Sequence, residues 1–448
     1  MKKTRVYSMM IVLFAAVIAS IVFKYKRDEK RKGATFYLLQ DRKGRLAETG
    51  EWKKVKQLAA NLMKVIRTNP DDFKSRIALA TLYIQEARIT GNYVYYDVAA
   101  MKYVNEVLEK NPENFEALTL KALLYLSQHH FADGLVTAQK AKQINPYNAF
   151  VYGMLVDGNV EMGNYDSAVA NSDKMVSIRP DIRSYSRISY LREIYGDYPG
   201  AIEAMKMAVE AGAPTEEGTE WARVQLSHLY ENIGDMRNAE MYYTIALDER
   251  PNYAYAIAGL ARVALTTKNY TKAISLFIQA DSLVNDYSFK EELVEVYRLV
   301  GEKIKSDSVV QIVIKAMSKD AQSGKDNENI GHYADRELAY AYLKTNNYDK
   351  ALEHALAEYN RRPGNIDVNE TVAWVYFSRG DYQKAMLYIK TALKTNSKNP
   401  TLLCRAGLIF AKAGNKEKAK EFLKAALKNN PNISEVLKNE SANILQSL

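Results

Sequence analysis

GNYDSAVANSDKMVSIRP, residues 163–180, contains a glycine, a turn aromatic, an alanine and a closing proline. Read alone it could be a site. It is not alone: GDMRNA begins at 234, KNYTKA at 268, NNYDKA at 346, GDYQKA at 380 and GNKEKA at 414, with GDYPGA at 196 one residue out of phase. Prolines at 112, 146, 180 and 214 mark three consecutive steps of 34 residues. From Pro251 another step reaches Asn285, and from Pro363 two steps reach Ser397 and Pro431. A stretch repeated this often is an architectural unit, since each copy needs the same residues to stack on its neighbours.

Within one unit the spacing predicts helix, turn, helix. Tyr152, Leu155, Val156 and Met162 keep helical spacing before Gly163, and Ala168, Met175 and Ile178 do so after it. Gly163 permits the positive φ that ends the first helix, and Asp166 is placed to start the second. Ala168 lets two helices approach closely, and Pro180 stops the second helix. Tyr165, Tyr270, Tyr348 and Tyr382, all at the turn, are expected to pack between helices.

This pattern resembles the tetratricopeptide repeat family over roughly residues 36–431. The resemblance implies an all-α, right-handed solenoid of about ten or eleven helix-turn-helix units. It departs from the pattern at some eight extra residues around Asn92 to Asp97, at a degenerate unit from Ser288 to Asp320, and at the polar SGKDNENIG of 323–331. The expected organisation is a basic tail, apolar segment and basic run over 1–32, a first array over 33–320, and a polar hinge at 321–331. A second array then covers 332–433, with a capping helix at 434–448.

The chain of 448 residues has a net charge of +9, but residues 1–45 hold 12 Lys/Arg against 3 Asp/Glu. The remainder is neutral, with 62 − 12 = 50 basic and 53 − 3 = 50 acidic residues. A nucleic-acid partner, which would need the positive field on the folded body, is not expected. The excess instead flanks VYSMMIVLFAAVIASIVF, residues 6–23, a run without charge long enough for one membrane-spanning hydrophobic helix. A signal peptide cut before Ser20 is the rival, although Ile21, Val22 and Phe23 continue the apolar run past that point. The six Lys/Arg of 24–32 favour a cytoplasmic body, whereas large domains cross largely regardless of charge. The reading leans to an extracytoplasmic, periplasmic body, with a secreted or cytoplasmic-facing body as alternatives.

No catalytic, metal or cofactor site is legible. HExxH, paired CxxC, the phosphate-binding GxxxxGK[ST] and GxSxG are all absent, and Cys404 is the single cysteine. His129 and His130 fall where other units carry the turn and are expected to be exposed there, with no third ligand. Gly153 and Gly158 are expected to mark tight packing. No enzyme activity and no cofactor are therefore expected.

The resemblance further implies that fixed positions of each first helix line a concave groove, on one face by their spacing. Carried onto this chain they are Phe150, Asp157, Arg187, Leu191, Tyr195, Trp221, His228, Glu231, Tyr255 and Arg262. In the second array they are Tyr333, Arg336, Tyr340, Asp367, Glu370, Trp374 and Phe377. Aromatics interleaved with Arg and acids suit a protein or peptide partner, and the alternative use for the rings is as filling of the superhelix interior. The Lys and Asn clamp of the chaperone-binding members is missing, so an internal segment, a folded protein or a second copy of this chain is expected instead. Truncating Trp221 or Arg262 is expected to weaken such binding while leaving the melt nearly unchanged. The reading is a membrane-tethered scaffold, with an assembly subunit of an envelope complex or a glycan- or lipid-binding accessory protein as alternatives.

Overall fold

In a computed structural model, residues 36–325, 331–428 and 433–448 are described, together with Phe14, Val17, Ile18, Ser20, Val22 and Lys24 individually. The described residues hold helices and no strand. A short 3-10 helix, Gly44–Glu48, leads into α1 (Gly50–Thr68). Ten helix pairs follow. Units 1 to 5 are α2 (Phe73–Thr90) with α3 (Tyr93–Lys110), α4 (Phe115–Ser127) with α5 (Phe131–Ile144), α6 (Ala149–Met162) with α7 (Tyr165–Ile178), α8 (Ile182–Ile194) with α9 (Tyr198–Glu210), and α10 (Glu217–Asn232) with α11 (Met236–Glu249). Units 6 to 10 are α12 (Ala254–Thr266) with α13 (Tyr270–Leu283), α14 (Tyr287–Leu299) with α15 (Lys303–Lys325), α16 (Asp335–Lys344) with α17 (Tyr348–Arg361), α18 (Ile366–Ser378) with α19 (Tyr382–Ala392), and α20 (Pro400–Lys412) with α21 (Lys416–Leu427). The terminal helix α22 (Glu435–Ser447) packs on both helices of unit 10.

Unit 3 shows how the opening stretch builds this. Asn148 caps α6 by accepting from the Phe150 amide. Gly163 takes φ 79°, which closes the helix through Gly163 N–H to Val160 O and Asn164 N–H to Asn159 O. The cap position of α7 is Asn164, so Asp166 lies in the first turn rather than starting the helix; there its charge still favours the helix N-terminus. Ala168 is fully buried at the crossing of α6 and α7. Equivalent positions of the other second helices are Ala100, Gly134, Ala201, Ala239, Ala273, Ser306, Ala351, Ala385 and Ala419, all buried. A small residue there is what permits ten crossings of one kind. A Cβ on Gly158 would approach Leu135 to 2.7 Å, and one on Gly153 would meet Arg187 at 3.1 Å, so both glycines serve packing.

The departures from the period resolve into helix. The extra residues near 92–97 lengthen α2 and α3 to 18 residues each, and the degenerate stretch from Ser288 forms the pair α14 and α15. Part of the expected polar hinge continues α15 to Lys325, and residues 326–330 lie outside the described residues. So does most of the apolar segment 6–23. Among the described residues no helix is long and apolar enough to cross a membrane.

The units close on themselves after six repeats. The turn of unit 1 receives the Asn285 amide on Thr90 O at 2.9 Å, just before unit 7. The turn of unit 2 meets 331–333 before unit 8, that of unit 3 meets 362–366 before unit 9, and Gly196 in unit 4 meets Asn396 and Lys398 before unit 10. These partners are 201 to 205 residues apart in several bonds, close to six periods of 34. Earlier, the 3-10 helix buries Leu46 against α12 and α13, while Glu51 pairs with Arg250 at 3.0 Å. Later, Lys268 and Tyr270 of unit 6 bind Glu435 at the start of α22, at 3.0 and 2.9 Å. A seam thus joins one superhelical turn to the next.

Candidate functional site

The seam is built from repeat turns that do two jobs. Tyr165 is 5% exposed, packs with Val156, Ala168 and Ile194, and its hydroxyl accepts the Ile366 amide at 3.0 Å. Ile366 buries itself in the same cluster, and Asn365 donates to Val160 O and Glu161 O. Arg362 is buried between Glu358 and Glu161, one from each side. Burial pushes the Glu161 carboxyl up despite that arginine. Of the turn tyrosines expected in the core, Tyr165 is buried, whereas Tyr270, Tyr348 and Tyr382 are half-buried.

His129 and His130 are not the exposed pair expected. His130 is 6% exposed and binds Gly331 O at 2.7 Å, while His129, in the left-handed region at φ 61°, binds Tyr333 O at 2.9 Å. A third histidine joins them: His332 stands 4.2 Å from His129 between ring centres. Sequence separation hid it. No group of three or more His, Cys, Asp or Glu among the described residues could hold a metal ion.

Charged residues expected to face a partner bind each other instead. Asp157 on α6 takes Arg187 of α8 through two nitrogens at 2.8 and 2.5 Å. Glu231 on α10 takes Arg262 of α12 at 3.2 Å, and Glu370 on α18 takes Arg405 of α20 at 2.8 Å. Each pair ties one first helix to the next. Glu231 is 2% exposed, and Arg262 also reaches the Tyr243 hydroxyl at 3.1 Å and His228 Nε2 at 3.0 Å. Burial and that arginine hold His228 well below the usual imidazole range, so it accepts as a neutral ring. Truncating Arg262 would strand a buried carboxylate, which typically costs about 3–5 kcal/mol. We therefore expect Arg262→Ala to lower the melting temperature markedly in a thermal scan, contrary to the sequence-based expectation of an unchanged melt.

The aromatics separate into two groups. Tyr255 is half-buried, 5.5 Å from Phe289 and 5.6 Å from Tyr253, and Tyr333 lies in the seam under Arg361 and against His130. Phe150 is covered by Arg183 at 4.8 Å. Tyr195 is 41% exposed, and Trp221 is half-buried beside the core of units 4 and 5. Units 8 to 10 bring several together: Trp374 stacks on Phe377 at 4.8 Å, Arg405 lies 5.0 Å over Trp374 and 5.1 Å over Tyr340, and Arg336 stands 6.0 Å from Tyr340. Arg336 makes no ion pair with another described residue and its Nε is buried without a hydrogen-bond partner. Its burial opposes its charge, and Asp367, Tyr340, Glu337 and Glu370 restore it. Arg405 was missed by sequence reasoning because it falls outside the expected groove positions.

Two profiles of the tetratricopeptide repeat match the chain, over residues 224–282 and 376–438. The comparison with curated proteins gave no match. Among solved structures, a human IFIT1 dimer with PPP-AAAA is 14% identical, with 78% of this chain and 80% of that one covered and a TM-score of 0.48. Yeast Tom70 is 11% identical over 88% and 95%, TM-score 0.39, and PilF of Pseudomonas aeruginosa 14% over 46% and 92%, TM-score 0.37.

Proposed function

We propose that the chain is a non-catalytic scaffold that holds a protein partner on the inner surface of its helical array, tethered to a membrane by residues 6–23. The observation that carries the reading is the Tyr340, Trp374, Phe377 and Arg336 group. Its half-buried rings adjoin an arginine whose Nε has no hydrogen-bond partner, and such rings and arginines are the side chains that anchor interfaces. Trp221 and Tyr195 are the second choice of anchor in the first array, because both keep exposed ring surface and neither belongs to the ion-pair ladder. Asp157, Arg187, His228, Glu231, Arg262, Phe150, Tyr255 and Tyr333 support the frame on which these anchors stand.

Affinity capture from membranes with the full chain tests this. Trp374→Ala and Arg336→Ala should each lower recovery of the partner by about tenfold or more, as an anchor worth about 2 kcal/mol does, while shifting the melt by only a few degrees. Unchanged recovery with both variants would point to the outer faces and the termini, and so to the assembly-subunit reading. The apolar run with its basic flanks supports membrane tethering, and recovery of the chain in the membrane fraction after a carbonate wash, lost when 1–32 is removed, is the matching result.

A further inference from the structure

Each of the three histidines of the seam gives one ring nitrogen to a backbone carbonyl across it. A carbonyl accepts and cannot donate, so His129 Nδ1 and His130 Nε2 must carry hydrogens toward Tyr333 O and Gly331 O. His332 in turn bonds to the Ser127 carbonyl. Every one of these bonds crosses between unit 2 and the segment leading into unit 8. Around them stand Arg361, Arg362 and Arg336, of which the first two are already paired with Asp335, Glu358 and Glu161. Arg361 covers Tyr333, Arg362 covers Phe131, and Arg336 lies near Glu337. Asp133 is 3.8 Å from His130, while Glu337 and Glu161 act on His129.

A proton on His332 does not fit this arrangement, because the ring lies in the seam with its centre 4.2 Å from a second imidazole, that of His129. We propose that the seam is an acid-sensitive latch, in which protonation of His332 separates unit 2 from unit 8 and uncovers the inner surface. That last consequence rests on the inner surface being the binding face; the latch itself does not.

The sign follows from linkage. Burial, then His129, push the imidazole of His332 down to about 3, against Glu337. A free imidazole titrates near 6.5, so the separated state binds the extra proton more readily and the closed state loses ground as pH falls below about 6.5. Between pH 7.5 and 5.0 the closed-to-open ratio should drop roughly thirtyfold.

Hydrogen exchange on the full chain reads this ratio directly. The Tyr333 amide donates to Gln128 O across the seam at 3.2 Å, and the amides of α12 serve as an internal reference. After correction for intrinsic exchange, protection of the Tyr333 peptide should fall about thirtyfold at pH 5.0 while α12 stays within a few fold. His332→Gln, neutral at both pH values, should abolish the fall, with circular dichroism confirming its helix content. Constant protection in the wild-type chain would overturn the latch, as would an equal fall in His332→Gln. If His332→Gln is unprotected at pH 7.5, His332→Asn is measured. An unprotected seam in both would make the histidine a structural bond and not a sensor, which also overturns the proposal.

Discussion

Gly163→Ala is expected to destabilise the chain by at least about 2 kcal/mol more than Gly380→Ala and to increase the radius of gyration, which Gly380→Ala leaves unchanged. The two glycines occupy the same place in the repeat and nearly the same backbone conformation, φ 79° and 82°. Each substitution therefore carries the same left-handed penalty of roughly 1 kcal/mol. Their surroundings differ. A Cβ on Gly380 meets nothing within 4 Å, whereas one on Gly163 falls on the Gly364 carbonyl group and 2.7 Å from the Asn365 nitrogen. Separating those backbones withdraws Ile366 from its apolar cluster and breaks its amide bond to Tyr165, losses of about 2 kcal/mol for the side chain and about 1 kcal/mol for the bond. Thermal melts and small-angle scattering of the two variants decide the matter, and equal melts would mean that the seam contributes nothing.

Ala168→Arg or Ala385→Arg should be the most damaging substitution of its unit. Both alanines are fully buried where the two helices of a unit cross, so a guanidinium there must force the helices apart and lose its hydration without a partner. Overpacking and an unpaired buried charge each cost several kcal/mol. Val169, the next residue, is 36% exposed and provides the phase control: Val169→Arg should lie within about 0.5 kcal/mol of the parent. Since each unit rests on its neighbours, the loss at Ala168 should spread to units 2 and 4. Similar chemical melts for Ala168→Arg and Val169→Arg would contradict the assigned register.

These two predictions mark what the sequence could and could not disclose. Ala168 and its counterparts were legible because a 34-residue period imposes the same local requirement at every crossing, and ten small residues answer to it. Gly163 was legible as a turn, but nothing near it distinguishes it from Gly380. The contact with Gly364 joins positions 201 residues apart, and it arises only when six units have accumulated enough rotation to bring the chain back on itself. The same blindness made His129 and His130 look exposed. Their repeat position is exposed in a lone unit and becomes covered once unit 8 arrives. Groove positions were carried over from the family resemblance, which implied one face for Trp374 and Tyr340 but gave no sign that Asp157, Glu231 and Glu370 would be taken by Arg187, Arg262 and Arg405 of the following unit. Charge alone cannot separate a residue awaiting a partner from one that already has a neighbour.

Contact between successive superhelical turns of the array is the claim on which the seam and the latch both depend. Zero-length carbodiimide coupling followed by peptide mass spectrometry tests it most directly, because Lys268 Nζ and Glu435 Oε1 are 3.0 Å apart although 167 residues separate them. The account predicts a Lys268–Glu435 linkage in the monomer band, with a yield independent of protein concentration. Absence of that linkage, while pairs within one unit such as Lys384 with Asp381 couple normally, would contradict it.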